Sequence, residues 1–139
     1  MESVFADTQY WIAICKPGDQ WSLPAKCARE ALGQVVLVTT DEVLTEFLAA
    51  LSRGGSTIRH KAASVVHAIL RDSNVVVVPQ SREGFLGGLK RYEDRDDKAY
   101  SLTDCVSMNV MESQSLKGIL TNDRHFEQEG FTVLIHARR

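Results

Sequence analysis

The sequence predicts an α/β protein, a three-layer α/β/α sandwich around a central, mainly parallel sheet of four to five strands. Three observations lead there. Short apolar runs alternate with helical stretches along the whole chain, the pattern of β–α–β units joined by right-handed crossovers. Residues 75–78 are four consecutive valines, and such an unbroken β-branched run predicts a strand covered on both faces, as in a parallel sheet. Acidic residues stand just beyond two of the predicted strands, where open sheets of this class bind their ligands.

The elements follow in order. The apolar run Val4-Phe5-Ala6 makes residues 3–6 the first strand, and a helix over about 9–15 follows Asp7. A helix over about 20–33 leads to a second strand at 35–38, Val35-Val36-Leu37-Val38. In the helix over 41–52, Val43, Leu44, Phe47, Leu48 and Leu51 form the apolar stripe, and Glu46 borders it beside Val43 and Ala50. A helix over 57–72 precedes the third strand, 74–78, which ends at Pro79, and another helix covers 81–93. The helix over 102–114 carries Cys105, Val106, Met108, Val110 and Met111 on nearly all sides, the pattern of a buried helix, and Ser101 is its expected N-cap. Gly118-Ile119-Leu120 reads as a fourth strand, 123–129 as a short helix and 131–135 as a fifth strand.

The 139 residues suit one domain, spanning 1–139, with a substantial core and no repeat or long linker. A net charge of −2 excludes a strongly basic global field, so any nucleic acid must be met by a local patch. Cys15, Cys27 and Cys105 form no CxxC pair, which argues against a zinc site or disulfide framework and for free, mostly buried thiols. Neither a signal peptide nor an apolar run of about 18 residues is visible, so a cytoplasmic protein without membrane contact is expected.

Four acids stand in or at the mouth of segments that read as buried: Asp7, Glu46, Asp104 and Asp123. Isolated buried carboxylates are costly unless paired, hydrogen-bonded or metal-bound. Two unit charges about 4 Å apart repel by on the order of 4 kcal/mol at an effective dielectric near 20. Mg²⁺ or Mn²⁺, which prefer oxygen ligands, convert that repulsion into attraction and support metal-assisted phosphodiester hydrolysis. Each acid also has a plainer reading: Asp7 and Asp123 fit helix caps, and Glu46 fits a solvated helix position. Asp104 is the most telling, because it shares a face with Met108 and Met111. No GxSxG elbow, HExxH helix or Walker-type loop competes.

Five segments carry a resemblance: Val4-Phe5-Ala6-Asp7-Thr8, Val43-Leu44-Thr45-Glu46, Ser101-Leu102-Thr103-Asp104-Cys105, Leu120-Thr121-Asn122-Asp123-Arg124-His125-Phe126, and Gly130-Phe131. In this order they resemble the motifs of PIN-domain ribonucleases, especially the small VapC-type toxins of prokaryotic toxin–antitoxin systems. The resemblance implies that Asp7, Glu46, Asp104 and Asp123 are the catalytic, metal-binding set, that the cofactor is Mg²⁺ or Mn²⁺ and that the substrate is RNA. It further implies a small antitoxin protein as partner and a homodimer. Ala6 and Gln9 depart from the family's usual residues at the entrance to the pocket. The expected function is a metal-dependent endoribonuclease toxin; a housekeeping RNA-processing nuclease and an inactive PIN-like binding module are the alternatives. A receiver domain is disfavoured because the valine run ends in Pro79-Gln80 without an acid, and a haloacid-type phosphatase because Asp7-Thr8-Gln9 is no Asp-x-Asp.

Around these acids, Thr8 and Thr121 are candidates to touch substrate, and Thr121 and Thr103 equally fit donors to carboxylates or helix caps. The segment Lys90 to Lys98 mixes both signs. It reads as a solvated helix end, or alternatively as a rim where Arg91, Arg95 and Lys98 meet phosphates while Tyr92 or Tyr100 stacks on a base. Asp97 is an extra candidate for the acidic cluster. Arg53, Arg59, His60 and Lys61 fit a solvated face or a patch for phosphate or an acidic partner. His125 reads as a packing or surface histidine, and Trp11 and Trp21 as core or interface anchors.

Overall fold

A computed structural model of the chain describes residues 2–16 and 18–137. Five strands, β1 (Glu2–Ala6), β2 (Val35–Thr40), β3 (Val75–Val78), β4 (Gly118–Leu120) and β5 (Thr132–Val133), form one all-parallel sheet in the order β3-β2-β1-β4-β5. Six α-helices flank it: α1 (Thr8–Cys15), α2 (Ser22–Leu32), α3 (Asp41–Ala50), α4 (Ser56–Arg71), α5 (Arg82–Asp94) and α6 (Leu102–Ser113). The α/β sandwich expected from the alternating pattern is therefore the observed fold.

The central strand is β1, and its composition explains why. Val4, Phe5 and Ala6 are all at most 1% exposed, so the run is covered on both faces. The valine run, by contrast, corrects the sequence reading. Strand β3 pairs only with β2 and lies at the sheet edge, where Val76 is 46% exposed. Four valines in a row set strand propensity, but propensity does not say whether a second neighbour lies alongside. Two further elements differ from expectation. Residues Arg124–Glu129 form a 3₁₀ helix, pinned by the buried Phe126, and the last strand is only two residues long. Its hydrogen bonding nevertheless runs on, with Leu134 N–H donating to Ile119 O and Ile135 N–H to Thr121 O.

Cys15 and Cys105 are buried, Cys27 is exposed, and all three are free thiols. Trp11 is a core residue whose Nε1–H reaches Thr39 Oγ1 at 3.4 Å, and Trp21 packs against the core from its edge.

The register positions the site. Ala6 lies opposite Leu120, so the residues following β1 and β4, Asp7 and Thr121, leave the sheet side by side. Asp7 N–H extends the ladder by donating to Leu120 O at 3.2 Å. Beside them, Thr39 Oγ1 donates to Ala6 O at 2.9 Å, and Thr40 caps α3 by accepting from Val43 N–H.

Helices α5 and α6 pack closely because Gly88 has no side chain. A Cβ built there would lie 2.6 Å from Val106 Cγ2 and 3.3 Å from Leu102 Cδ1. Gly88→Ala therefore sets a clash of about 1–3 kcal/mol against the better helix propensity of alanine. The expected net result is a melting temperature lower by several degrees in a thermal unfolding scan.

Candidate metal centre

Asp7 is the most buried acid, with 5% of its surface exposed. It occupies the N-cap position of α1, but its side chain makes no capping bond. Instead its Oδ2 accepts a hydrogen bond of 2.9 Å from Thr121 Oγ1. Burial pushes its pKa up from 3.8 to about 7, and the like charges of Asp104 and Glu46 add to the rise. Hydrogen bonds from the Thr8 backbone and from Thr121 oppose it. Capping is thus not what this carboxylate does.

Thr121 is fully buried and serves two masters at once. Its hydroxyl donates to Asp7 and accepts from Asp123 N–H at 3.1 Å, which ties the β4 loop to the end of β1. Gln9 adds a second tie, its Oε1 accepting from Asn122 N–H at 3.0 Å. The sequence marked Gln9 only as a departure from the family; its amide clamps the loop that carries Asp123.

Asp104 is held by a capping box. Ser101 Oγ accepts from Asp104 N–H, and Asp104 Oδ2 accepts from Ser101 N–H, both at 3.0 Å. Burial is the main cause that raises its pKa, with the charges of Asp123 and Glu46 acting in the same direction against the Ser101 bonds. Asp123 is half-buried and caps the 3₁₀ helix, its Oδ1 accepting from His125 N–H at 2.9 Å. Glu46 is half-buried at the border of the α3 stripe, and its charge acts on both Asp7 and Asp104.

The charges of Asp104 and Glu46 therefore reach Asp7, and those of Asp123 and Glu46 reach Asp104, so Asp104 links the four acids. Within that group, Asp104, Asp123 and His125 each offer one ligand atom inside 4.8 Å of the others. Asp7 and Glu46 fall outside this tight triplet. The sequence reading set His125 aside as a packing or surface residue; the structure puts it among the acids. The signal was present in the string Asp123-Arg124-His125, but the turn that folds the imidazole back onto Asp123 was not. Hard oxygen donors that repel one another fit a small divalent cation, and this is the test the donor set passes.

The remaining candidates divide. Thr8 is buried, and its Oγ1 has no partner among the described residues. Thr103 is half-buried. Arg91, read as part of a solvated helix end or alternatively of an RNA-facing rim, is instead buried. Its Nε donates to Asn109 Oδ1 at 2.8 Å, its Nη1 lies 2.7 Å from Glu129 Oε1, and its Nη2 pairs with Glu112. Arg95 pairs with the same Glu129. Tyr100 is buried, its hydroxyl donates to Glu129 Oε2 at 3.0 Å, and its pKa is pushed up to about 12 by burial and by Glu129. Lys98 sits 3.5 Å from Asp97, and Tyr92 is exposed. Glu129 was not singled out from sequence, yet it gathers these groups into one frame.

Two outcomes follow. The folded carboxyl of Asp7 holds its proton more tightly than the unfolded chain does. Its contribution to stability is therefore full below about pH 4 and lost as pH rises through about 7, up to on the order of 4 kcal/mol. Asp104 shifts in the same direction. In chelator, the wild type is expected to be less stable at pH 8 than at pH 5, and Asp7→Asn to remove most of that difference in urea titrations. Thr121→Val leaves Asp7 without its hydroxyl donor and Asp123 N–H without its acceptor. Unfolding in urea at pH 8 should show a loss of about 1–3 kcal/mol that Thr121→Ser restores.

Comparison with known proteins places this geometry. A family model described as the PIN domain matches residues 4–131. The chain is 31% identical over 132 residues to the 23S rRNA-specific endonuclease VapC20 of two strains of Mycobacterium tuberculosis, covering 92% of this chain and 95% of that protein. The crystal structure of M. tuberculosis VapC20, described as a sarcin-ricin loop cleaving toxin, superposes with a TM-score of 0.82 at 26% identity, covering 93% of this chain and 96% of that one. With the family model spanning nearly the whole chain, this protein belongs to the PIN-domain family.

Proposed function

We propose that this PIN-domain nuclease is an endoribonuclease toxin of the VapC kind whose Asp7, Glu46, Asp104 and Asp123 hold Mg²⁺ or Mn²⁺. The observation that carries the reading is the buried Asp7 carboxylate, whose charged neighbours are further carboxylates rather than a protein cation. A bound divalent ion supplies a polarised water and neutralises charge on the scissile phosphate.

The chain's own residues prepare for this. Thr121 fixes Asp7, Ser101 fixes Asp104, and the backbone N–H of His125 fixes Asp123. The carboxylate oxygens thus stand in place before any ligand arrives, which spares reorganisation during reaction. Without a cation the same cluster repels the phosphate backbone, so binding and cutting of RNA share one requirement. Thr121 supports Asp7 from the β4 side, and Thr8, next in the chain, is buried with its Oγ1 closed off from solvent. No side chain need act as general base.

Similarity to VapC20 makes 23S rRNA the first substrate to test. A small antitoxin and a second copy of the chain are the expected partners. An open groove between α3 and α4, lined by Leu48, Leu51, Arg59 and His60, offers the antitoxin mixed apolar and basic contacts. Action in the cytoplasm accords with the absence, among the described residues, of a helix long and apolar enough to cross a membrane.

Purified protein with Mg²⁺ or Mn²⁺ is expected to cleave RNA at discrete sites. Asp104→Asn should reduce cutting by at least about 100-fold, on the scale of one lost electrostatic group, while leaving the circular dichroism spectrum unchanged. Sequencing the RNA ends produced on induction, with Asp104→Asn as control, identifies the site. Undiminished cutting in excess chelator would reject the metal-dependent reading.

A further inference from the structure

The acidic cluster contains a nitrogen that its proposed role leaves unused. His125 Nδ1 is buried, makes no hydrogen bond, and lies 3.3 Å from Asp123 Oδ1. Its nearest polar group is that carboxylate, no hydrogen bond joins the two, and the ring as a whole is 38% exposed, so the nitrogen is free to take a cation shared with the acids. The imidazole is also held in place. Its backbone N–H is bound to Asp123 Oδ1, and its ring packs against Tyr100 with centroids 5.6 Å apart. Tyr100 is in turn fixed by Glu129. His60, His67 and His136, the other histidines, are all exposed.

The neighbouring carboxylates are half-committed in a complementary way. Asp104 Oδ2 accepts from Ser101 N–H, and Asp123 Oδ1 accepts from His125 N–H. Asp104 Oδ1 and Asp123 Oδ2 have no hydrogen-bond partner among the described residues. Asp104, Asp123 and His125 each offer one ligand atom, and these three atoms lie within 4.8 Å of one another. Bonds near 2 Å bring ligand atoms to within about 4 Å of one another, so small side-chain rotations close this set around a single ion.

We propose that His125 Nδ1 joins one oxygen each of Asp104 and Asp123 as a direct cation ligand, and that this mixed donor set favours Mn²⁺ over Mg²⁺. The proposal rests on the reading that these acids hold a divalent ion, and it adds a ligand and a selectivity. Mg²⁺ favours oxygen and water and gains little from an imidazole. Mn²⁺ shares the preference of Mg²⁺ for carboxylates but, as a first-row transition ion, takes a nitrogen donor more readily, so a ring nitrogen in the set raises its affinity relative to Mg²⁺. An all-carboxylate cluster has no such preference.

The test uses the full chain loaded with one equivalent of Mn²⁺. Pulsed EPR is expected to show nitrogen modulation from a coordinated imidazole, absent in His125→Phe, whose ring still packs on Tyr100. Competition calorimetry should show Mn²⁺ affinity falling in that variant by at least about tenfold, the lower end of what even an outer-shell partner costs, with Mg²⁺ affinity little changed. Bound Mn²⁺ without nitrogen modulation, or modulation that survives in His125→Phe, overturns the ligand assignment and leaves the acidic metal site standing. Absence of stoichiometric Mn²⁺ binding in wild type, with no change in Asp104→Asn, overturns both. A merely structural histidine, ion-paired to Asp123, gives the first of these negative results.

Discussion

One hydrogen bond, from Thr121 Oγ1 to Asp7 Oδ2, joins residues 114 positions apart and lies where the sheet gives way to the site. It exists because β1 and β4 are neighbours in register, with Ala6 opposite Leu120. The acid it anchors is almost wholly removed from water, so the fold carries a group it would rather keep neutral. The site's chemistry and the fold's stability are therefore opposed at this residue. Natural active sites commonly sit at such a trade, with stability lower than the same scaffold could reach.

A second constraint surrounds the first. Glu129 gathers Arg91, Arg95 and Tyr100 into a largely buried frame linking α5, the segment leading into α6, and the 3₁₀ helix after Asp123. Asn109 and Glu112 extend it along α6. Burying ions is rarely a net gain in stability, because desolvation offsets the attraction, but it fixes geometry where alternatives would leave a charge unpaired. Here it fixes the two elements that carry Asp104 and Asp123. The same arginines viewed in sequence look like a cationic rim for RNA, which shows how a charged stretch can serve the inside of a protein.

Much of the architecture was legible because it rests on local pattern. Alternating apolar runs and helices located the sheet, Ser101 announced the start of α6, and the apolar circumference of α6 announced its burial. The four acids stood out as candidates for the same reason, since a carboxylate inside an apolar stretch demands explanation. What escaped depends on distant pairing. No feature of Val75–Val78 tells an edge strand from a central one, nor does Glu129 advertise its three partners. Gln9 and His125 owe their places to a tight loop whose path the sequence does not encode locally. Composition also overstated regularity near the C-terminal end, where a 3₁₀ turn and a two-residue strand suffice.

The open flank of β3 has a consequence for the chain outside its folded state. Four valines with unpaired backbone groups on one side form a template onto which another extended chain can add. The hazard is greatest during synthesis, before β2 has engaged the run, when a short uncharged β-branched stretch is most prone to self-association. Two features limit it: the stretch is only four residues long, and Pro79 follows at once with no N–H to extend a ladder. Aggregation at high expression is thus checked by the strand's brevity and by the imino acid at its end, a gatekeeper unrelated to the acidic cluster.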